Sequence, residues 1–110
     1  MGLRQEKIAD QLRDVLAGCL NGGRMEDPRL DGVVVTHVKV SPDLQMGTVY
    51  FRGYGENHSS FMEDGLRSAT PYFRKKLASA LKLRRVPSLR FYYDESIGRA
   101  SRIENLLSQL

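Results

Sequence analysis

Ile8, Leu12, Val15, Leu16, Cys19 and Leu20 recur at spacings of three and four, which predicts an amphipathic helix from about Leu3 to Leu20. Glu6, Asp10, Arg13 and Asp14 fall outside that stripe, and Asn21-Gly22-Gly23 supplies a helix stop. The pattern then changes period. Met25 to Gly32 reads as a loop with turn dipeptides Asp27-Pro28 and Asp31-Gly32. Val33 to Val40 is β-branched almost throughout and predicts a strand. Ser41-Pro42-Asp43-Leu44 punctuates it, and Met46 to Tyr54 forms a second strand rich in Val, Tyr, Phe and Thr. So short a connection implies an antiparallel hairpin.

A second helical stripe, Leu66, Ala69, Phe73, Leu77, Ala80 and Leu81, runs from near Phe61 to about Lys82, with Ser59 or Ser60 as its cap. Pro71 interrupts the stripe. An interior proline removes a helical hydrogen bond and clashes with the preceding turn, at about 3 kcal/mol. Two helices are the cheaper solution, with Thr70 as N-cap, Pro71 at the first position of the second helix, and a kink spanning Ser68 to Pro71. Leu89, Phe91 and Tyr93 alternate with Arg90 and Tyr92 in a third strand after Val86-Pro87. In the tail, Ile103, Leu106, Leu107 and Leu110 share a helical face, with Ser101 and Glu104 at capping-box spacing. The order is α-β-β-α-kink-α-β. It predicts an α+β fold with the helices on one face of a three-stranded sheet, the layout of a type II KH domain.

With 110 residues, the chain has the length of a single domain, 1–110, in which 96–110 forms a frayed helix or tail. No apolar run approaches the roughly eighteen residues that span a bilayer, and no basic stretch leads into an apolar segment at the start. Met1-Gly2 resembles a myristoylation start, but Glu6 occupies the position that needs Ser or Thr. With Cys19 alone, neither an intramolecular disulfide nor a cysteine zinc cluster can form, and its place on the apolar stripe suits a small core residue. The expectation is a cytoplasmic protein with no membrane partner. The net charge of +4 matters less than its distribution. Residues 66–92 hold eight basic and no acidic side chains: Arg67, Arg74, Lys75, Lys76, Lys82, Arg84, Arg85 and Arg90. Unopposed charge at that density is the footprint of a polyanion partner, and these eight are the candidate RNA-binding residues.

Several segments carry a family resemblance: Asp27-Pro28-Arg29-Leu30, Val40-Ser41-Pro42-Asp43-Leu44 and Ala69-Thr70-Pro71. Leu83-Arg84-Arg85-Val86-Pro87-Ser88-Leu89-Arg90-Phe91 and Tyr93-Asp94-Glu95-Ser96-Ile97, running on to Arg102-Ile103, complete the set in order. Together they resemble the bacterial ribosome-binding factor A family over nearly the whole chain. The resemblance implies a KH-like fold that binds the 30S small ribosomal subunit during late maturation and processing of its 16S rRNA, with a role in growth in the cold. It also implies a monomer without catalysis, cofactor or small-molecule substrate. One departure stands out. The family's kink usually reads Ala-Xaa-Gly, and Pro71 takes the glycine position here, which leaves the kink angle open.

On the second helix of the kinked pair, an inward Phe73, Leu77, Ala80 and Leu81 would place Arg74, Lys75 and Lys82 on the solvated side and Lys76 at the flank. Arg84, Arg85 and Arg90 extend the positive field, and Arg67 precedes the kink. Such cations pair with phosphates, which positions a protein without reading sequence. No Gly-X-X-Gly tetrad lies between the helices, so the grip of ordinary KH domains is not expected. Tyr50, Tyr54, Tyr92 or Phe51 would stack on a base if its sheet face were open, although core packing is the stronger expectation for each. His37 and His58 lack any catalytic or metal-binding pattern, and Asp94-Glu95 suits a turn or cap. The chain therefore does not read as an enzyme. Two alternatives remain, a general KH-type RNA-binding module and a protein-interaction domain that uses the C-terminal apolar helix.

Overall fold

The computed structural model describes residues 2–21, 25–54 and 58–95. Its elements follow the chain as α1 (Gly2–Asn21), a 3₁₀ turn (Pro28–Leu30), β1 (Val33–Val40), β2 (Met46–Gly53), α2 (Ser59–Ser68), α3 (Thr70–Ala80) and β3 (Ser88–Tyr93). The predicted stop at Gly22-Gly23 and the C-terminal face from Ile103 to Leu110 lie outside the described residues.

The sheet order is β1-β2-β3. β1 and β2 pair antiparallel as the short connection requires, and β2 and β3 pair parallel across the α2–α3 crossover. A bulge between Val35 and His37 shifts the register, with Thr36 as the extra residue. It keeps Val33, Val38 and Val40 buried on one face while His37 and Lys39 turn to the other. β2 and β3 alternate in the same way. Val49, Phe51 and Phe91 are buried, whereas Arg90 and Tyr92 are exposed.

All three helices cover the apolar face. Ile8, Leu12 and Leu16 of α1, Met62 and Leu66 of α2, and Phe73 and Leu77 of α3 are buried in one cluster with the strands. Val15, Cys19 and Leu20 flank it half-buried. Phe73 meets Phe91 with ring centroids 6.1 Å apart, joining α3 to the edge strand. No polar or charged side chain is buried among the described residues. The α+β, KH-like arrangement with helices on one sheet face is the one the periodicity predicts.

The kink differs in detail. Ala69 alone breaks the helix, at φ −84° and ψ −4°, and it is the N-cap of α3 without a side-chain cap bond. Thr70 is not the cap. It lies inside α3, and its hydroxyl donates to the Leu66 carbonyl at 3.0 Å, bridging the break from within. Ser59 and Ser60 are likewise inside α2, which starts from His58 without a side-chain cap bond. α3 ends at Ala80, so Lys82 lies beyond the helix, and Ala80 is exposed rather than inward.

Gly65 sets how closely α2 approaches the 3₁₀ turn. That turn is held by Asp27, which accepts from the Arg29 backbone N–H at 3.0 Å and pairs with the Arg29 guanidinium at 2.7 Å. Hydrogen bonds from the Arg29 side chain, and then from its backbone, hold the Asp27 carboxyl below its ordinary range. A Cβ on Gly65 would lie 2.7 Å from the Arg29 Cβ and 3.2 Å from Leu30 Cδ2. In an open helix, Gly→Ala stabilises by about 1 kcal/mol. Here overpacking reverses the sign, so Gly65→Ala should destabilise the domain by about 1–3 kcal/mol in urea or thermal unfolding.

Candidate nucleic-acid interface

Apolar anchoring explains how the loop between α3 and β3 displays its charge. Leu81 and Pro87 are buried, and Leu83 and Val86 pack half-buried against the core. These four pull the loop onto the domain and leave Lys82, Arg84 and Arg85 facing solvent. Facing the loop is the β1–β2 turn, closed by Leu44 N–H donating to Ser41 O at 2.9 Å and by Ser41 N–H donating to Met46 O at 2.9 Å. Between turn, loop and α3 lies an open groove of about 720 Å³ lined by Arg4, Asp43, Leu44, Lys75, Arg84 and Arg85 among others.

Four of these side chains, Arg4, Lys75, Arg84 and Arg85, are exposed cations with no carboxylate partner among the described residues. Asp43 is the groove's anion, and it is already engaged. It accepts from the Ser41 hydroxyl at 2.7 Å and from Gln45 N–H at 3.1 Å, and these bonds hold its carboxyl below the ordinary range. The groove wall also holds Leu44 at φ 62°, a left-handed conformation that costs a non-glycine residue roughly 1–2 kcal/mol. Leu44 is half-buried against the core, and that packing opposes the strain.

The eight predicted residues do not form one patch. Lys75, Arg84 and Arg85 meet in the groove. Lys82 lies in a neighbouring depression with Lys7 of α1. Lys76 turns to another side, its ammonium 5.5 Å from the Tyr72 ring centroid and close to Cys19. Burial pushes the Cys19 thiol up, and the charge of Lys76 draws it partly back. Arg67 pairs with Glu63 one turn earlier in α2, and Arg90 projects from the sheet face away from the helices. Helical phase predicts Arg74 on the solvated side. It is half-buried instead, donating to Val86 O at 3.3 Å and Pro87 O at 3.5 Å, and so holds the loop against α3.

Arg4 and Lys7 are the cations missed in the sequence. They stand three residues apart on the first turns of α1, a spacing that places them on neighbouring surface. Acidic residues farther along the same segment concealed them in any count by region. Phe51 is fully buried, so its base-stacking role is withdrawn. Among the described residues, no group of His, Cys, Asp or Glu could hold a metal ion, and no helix is long and apolar enough to cross a membrane.

Because Arg74 acts on the loop, its loss should register there first. Arg74→Ala should destabilise the domain by about 1 kcal/mol and speed amide exchange across residues 82–87 more than in the sheet. Uniform exchange through the molecule would mean that the guanidinium does not restrain the loop.

Comparison with known proteins agrees with this architecture. The ribosome-binding factor A family model matches residues 4–107. Ribosome-binding factor A of Chromohalobacter salexigens is 39% identical over 109 residues, covering 96% of this chain and 82% of that protein. The crystal structure of ribosome-binding factor A from Thermus thermophilus superposes with a TM-score of 0.75 at 27% identity, over 84% of this chain and 97% of the other. Coordinates of the Thermus thermophilus factor fitted into a cryo-EM map of its complex with the 30S subunit give a TM-score of 0.64 at 29% identity, over 79% of this chain and 91% of the other. The chain belongs to the ribosome-binding factor A family.

Proposed function

We propose that this chain binds the 30S ribosomal subunit in the cytoplasm, as a monomer, and assists late maturation and processing of its 16S rRNA, including during growth in the cold. The observation that carries the reading is the groove in which Arg4, Lys75, Arg84 and Arg85 converge without carboxylate partners among the described residues. Folded rRNA presents dense phosphate and a major groove too narrow for side chains to read. A fixed array of exposed cations recognises such a surface by shape and charge. The 30S complex of the Thermus thermophilus factor supports the choice of partner. Lys82 with Lys7 extends the field at one rim of the groove, while Arg74 positions the loop that carries Arg84 and Arg85. The chain works by binding rather than by turnover, and no cofactor enters the scheme.

Four phosphate contacts should make log K fall with log salt at a slope of about −3 to −4. Affinity for purified immature 30S subunits should therefore drop roughly a hundredfold between about 50 and 200 mM salt. A flat response would remove the electrostatic mechanism. Replacing Lys75, Arg84 and Arg85 with alanine should flatten the slope by about one per residue and leave the thermal midpoint nearly unchanged. The same variant should fail to restore mature 16S rRNA termini and growth at low temperature in bacteria lacking their own ribosome-binding factor A, where the unaltered chain succeeds.

A further inference from the structure

The groove leaves the sheet face opposite the helices unexplained. Register places His37 of β1 opposite Tyr50 of β2, and Tyr50 opposite Tyr92 of β3. The three rings form one row across the strands, with centroids 6.1 and 6.2 Å apart and planes inclined by 28° and 35°. His37 is exposed, Tyr50 half-buried, and Tyr92 keeps 47% of its surface in solvent. In the next outward-facing row, Lys39, Thr48 and Arg90 stand opposite one another. Lys39 and Arg90 are exposed and have no carboxylate partner among the described residues. On the other flank, Arg52 lies 5.4 Å from the Tyr93 ring centroid and donates to Asp94 O at 2.7 Å.

A core-packing role does not account for this row, because the core is on the other face. Its composition fits one ligand chemistry. Exposed aromatic faces accept nucleobases of any sequence, and a line of cations one row away accepts the phosphates of the same strand. A base-paired helix keeps its bases stacked within itself, so the ligand must be unpaired. We infer that the open sheet face binds single-stranded RNA by stacking bases on Tyr92, Tyr50 and His37, with Lys39 and Arg90 on the phosphates. The inference rests on the reading of the chain as an RNA-binding factor and adds a second contact of different chemistry. The two contacts lie within reach of one strand. Ser88 lines the groove, and Tyr92 stands four residues farther along β3, about 13 Å away.

The test uses the full chain and a short labelled oligouridylate, followed by anisotropy at low salt. The chain contains 5 Tyr and 0 Trp, so tyrosine emission serves as the intrinsic signal and stacking should quench it. Tyr92→Ala should weaken oligouridylate binding about tenfold and reduce the quench, while Tyr92→Phe, which keeps the ring, should stay within about twofold of the unaltered chain. The variant with Lys75, Arg84 and Arg85 replaced should still show the quench while losing 30S affinity. Equal binding by Tyr92→Ala and the unaltered chain overturns the inference, as does an equal preference for duplex RNA of the same length. Conversion of a dimer to a monomer by Tyr92→Ala, with RNA binding unchanged, would assign the face to a second copy and overturn it equally. Either result leaves the salt-dependent 30S binding, and hence the proposed function, standing on its own measurement.

Discussion

A three-stranded sheet this small can bury only one of its faces, and the rest of the molecule follows from which face that is. Val49, Phe51 and Phe91 commit the sheet to one side, and α1, α2 and α3 must all pack there to seal it. A single straight helix between β2 and β3 would cover one diagonal of that face. Breaking it at Ala69 lets α2 pack toward the 3₁₀ turn while α3 lays Phe73 against Phe91. The same commitment divides the surface into two chemical regions. Cations carried by helix and loop collect on the covered side and its rim, and the rings of the outward rows are left in water.

The covered side works because its apolar residues and its charges are interleaved within a few positions. Leu81, Leu83, Val86 and Pro87 face the core between Lys82, Arg84 and Arg85, so each arginine is held near the surface by a neighbour it does not touch electrostatically. Arg74 completes this arrangement by giving up its own availability to phosphate. A patch in which every cation were free would have a looser loop, and a looser loop would lose more conformational entropy on binding.

Periodicity made the architecture legible because burial dictates period. The stripes of α1 and α3 and the alternation of β3 needed only the rule that one face of each element is apolar. The errors came where a residue had two satisfactory roles. Thr70 can cap a helix or return its hydroxyl to the preceding turn, and the single-residue break at Ala69 leaves the second geometry in place. Arg74 is solvated by its helical phase, yet its side chain is long enough to reach carbonyls of a loop twelve residues on. Arg4 and the place of His37 beside Tyr50 and Tyr92, the two tyrosines being stacking candidates from the sequence, were invisible for another reason. Each depends on residues far apart in sequence being brought together, by α1 docking in one case and strand register in the other.

Pro71 bears on how stiff this arrangement is. A glycine at this position would let the chain explore many conformations before folding and around the break afterwards; proline removes most of them. It stands at the second position of α3, within the first turn, where a helix has no intrahelical partner for its N–H groups and proline is tolerated. With its start restrained by Pro71, α3 holds Lys75 and Arg74 in a fixed relation to the buried Pro87, and through Arg74 to the loop arginines. A cation array already in place before contact with a polyanion loses less conformational entropy on binding. The proline therefore stiffens the start of the helix that carries Arg74 and Lys75.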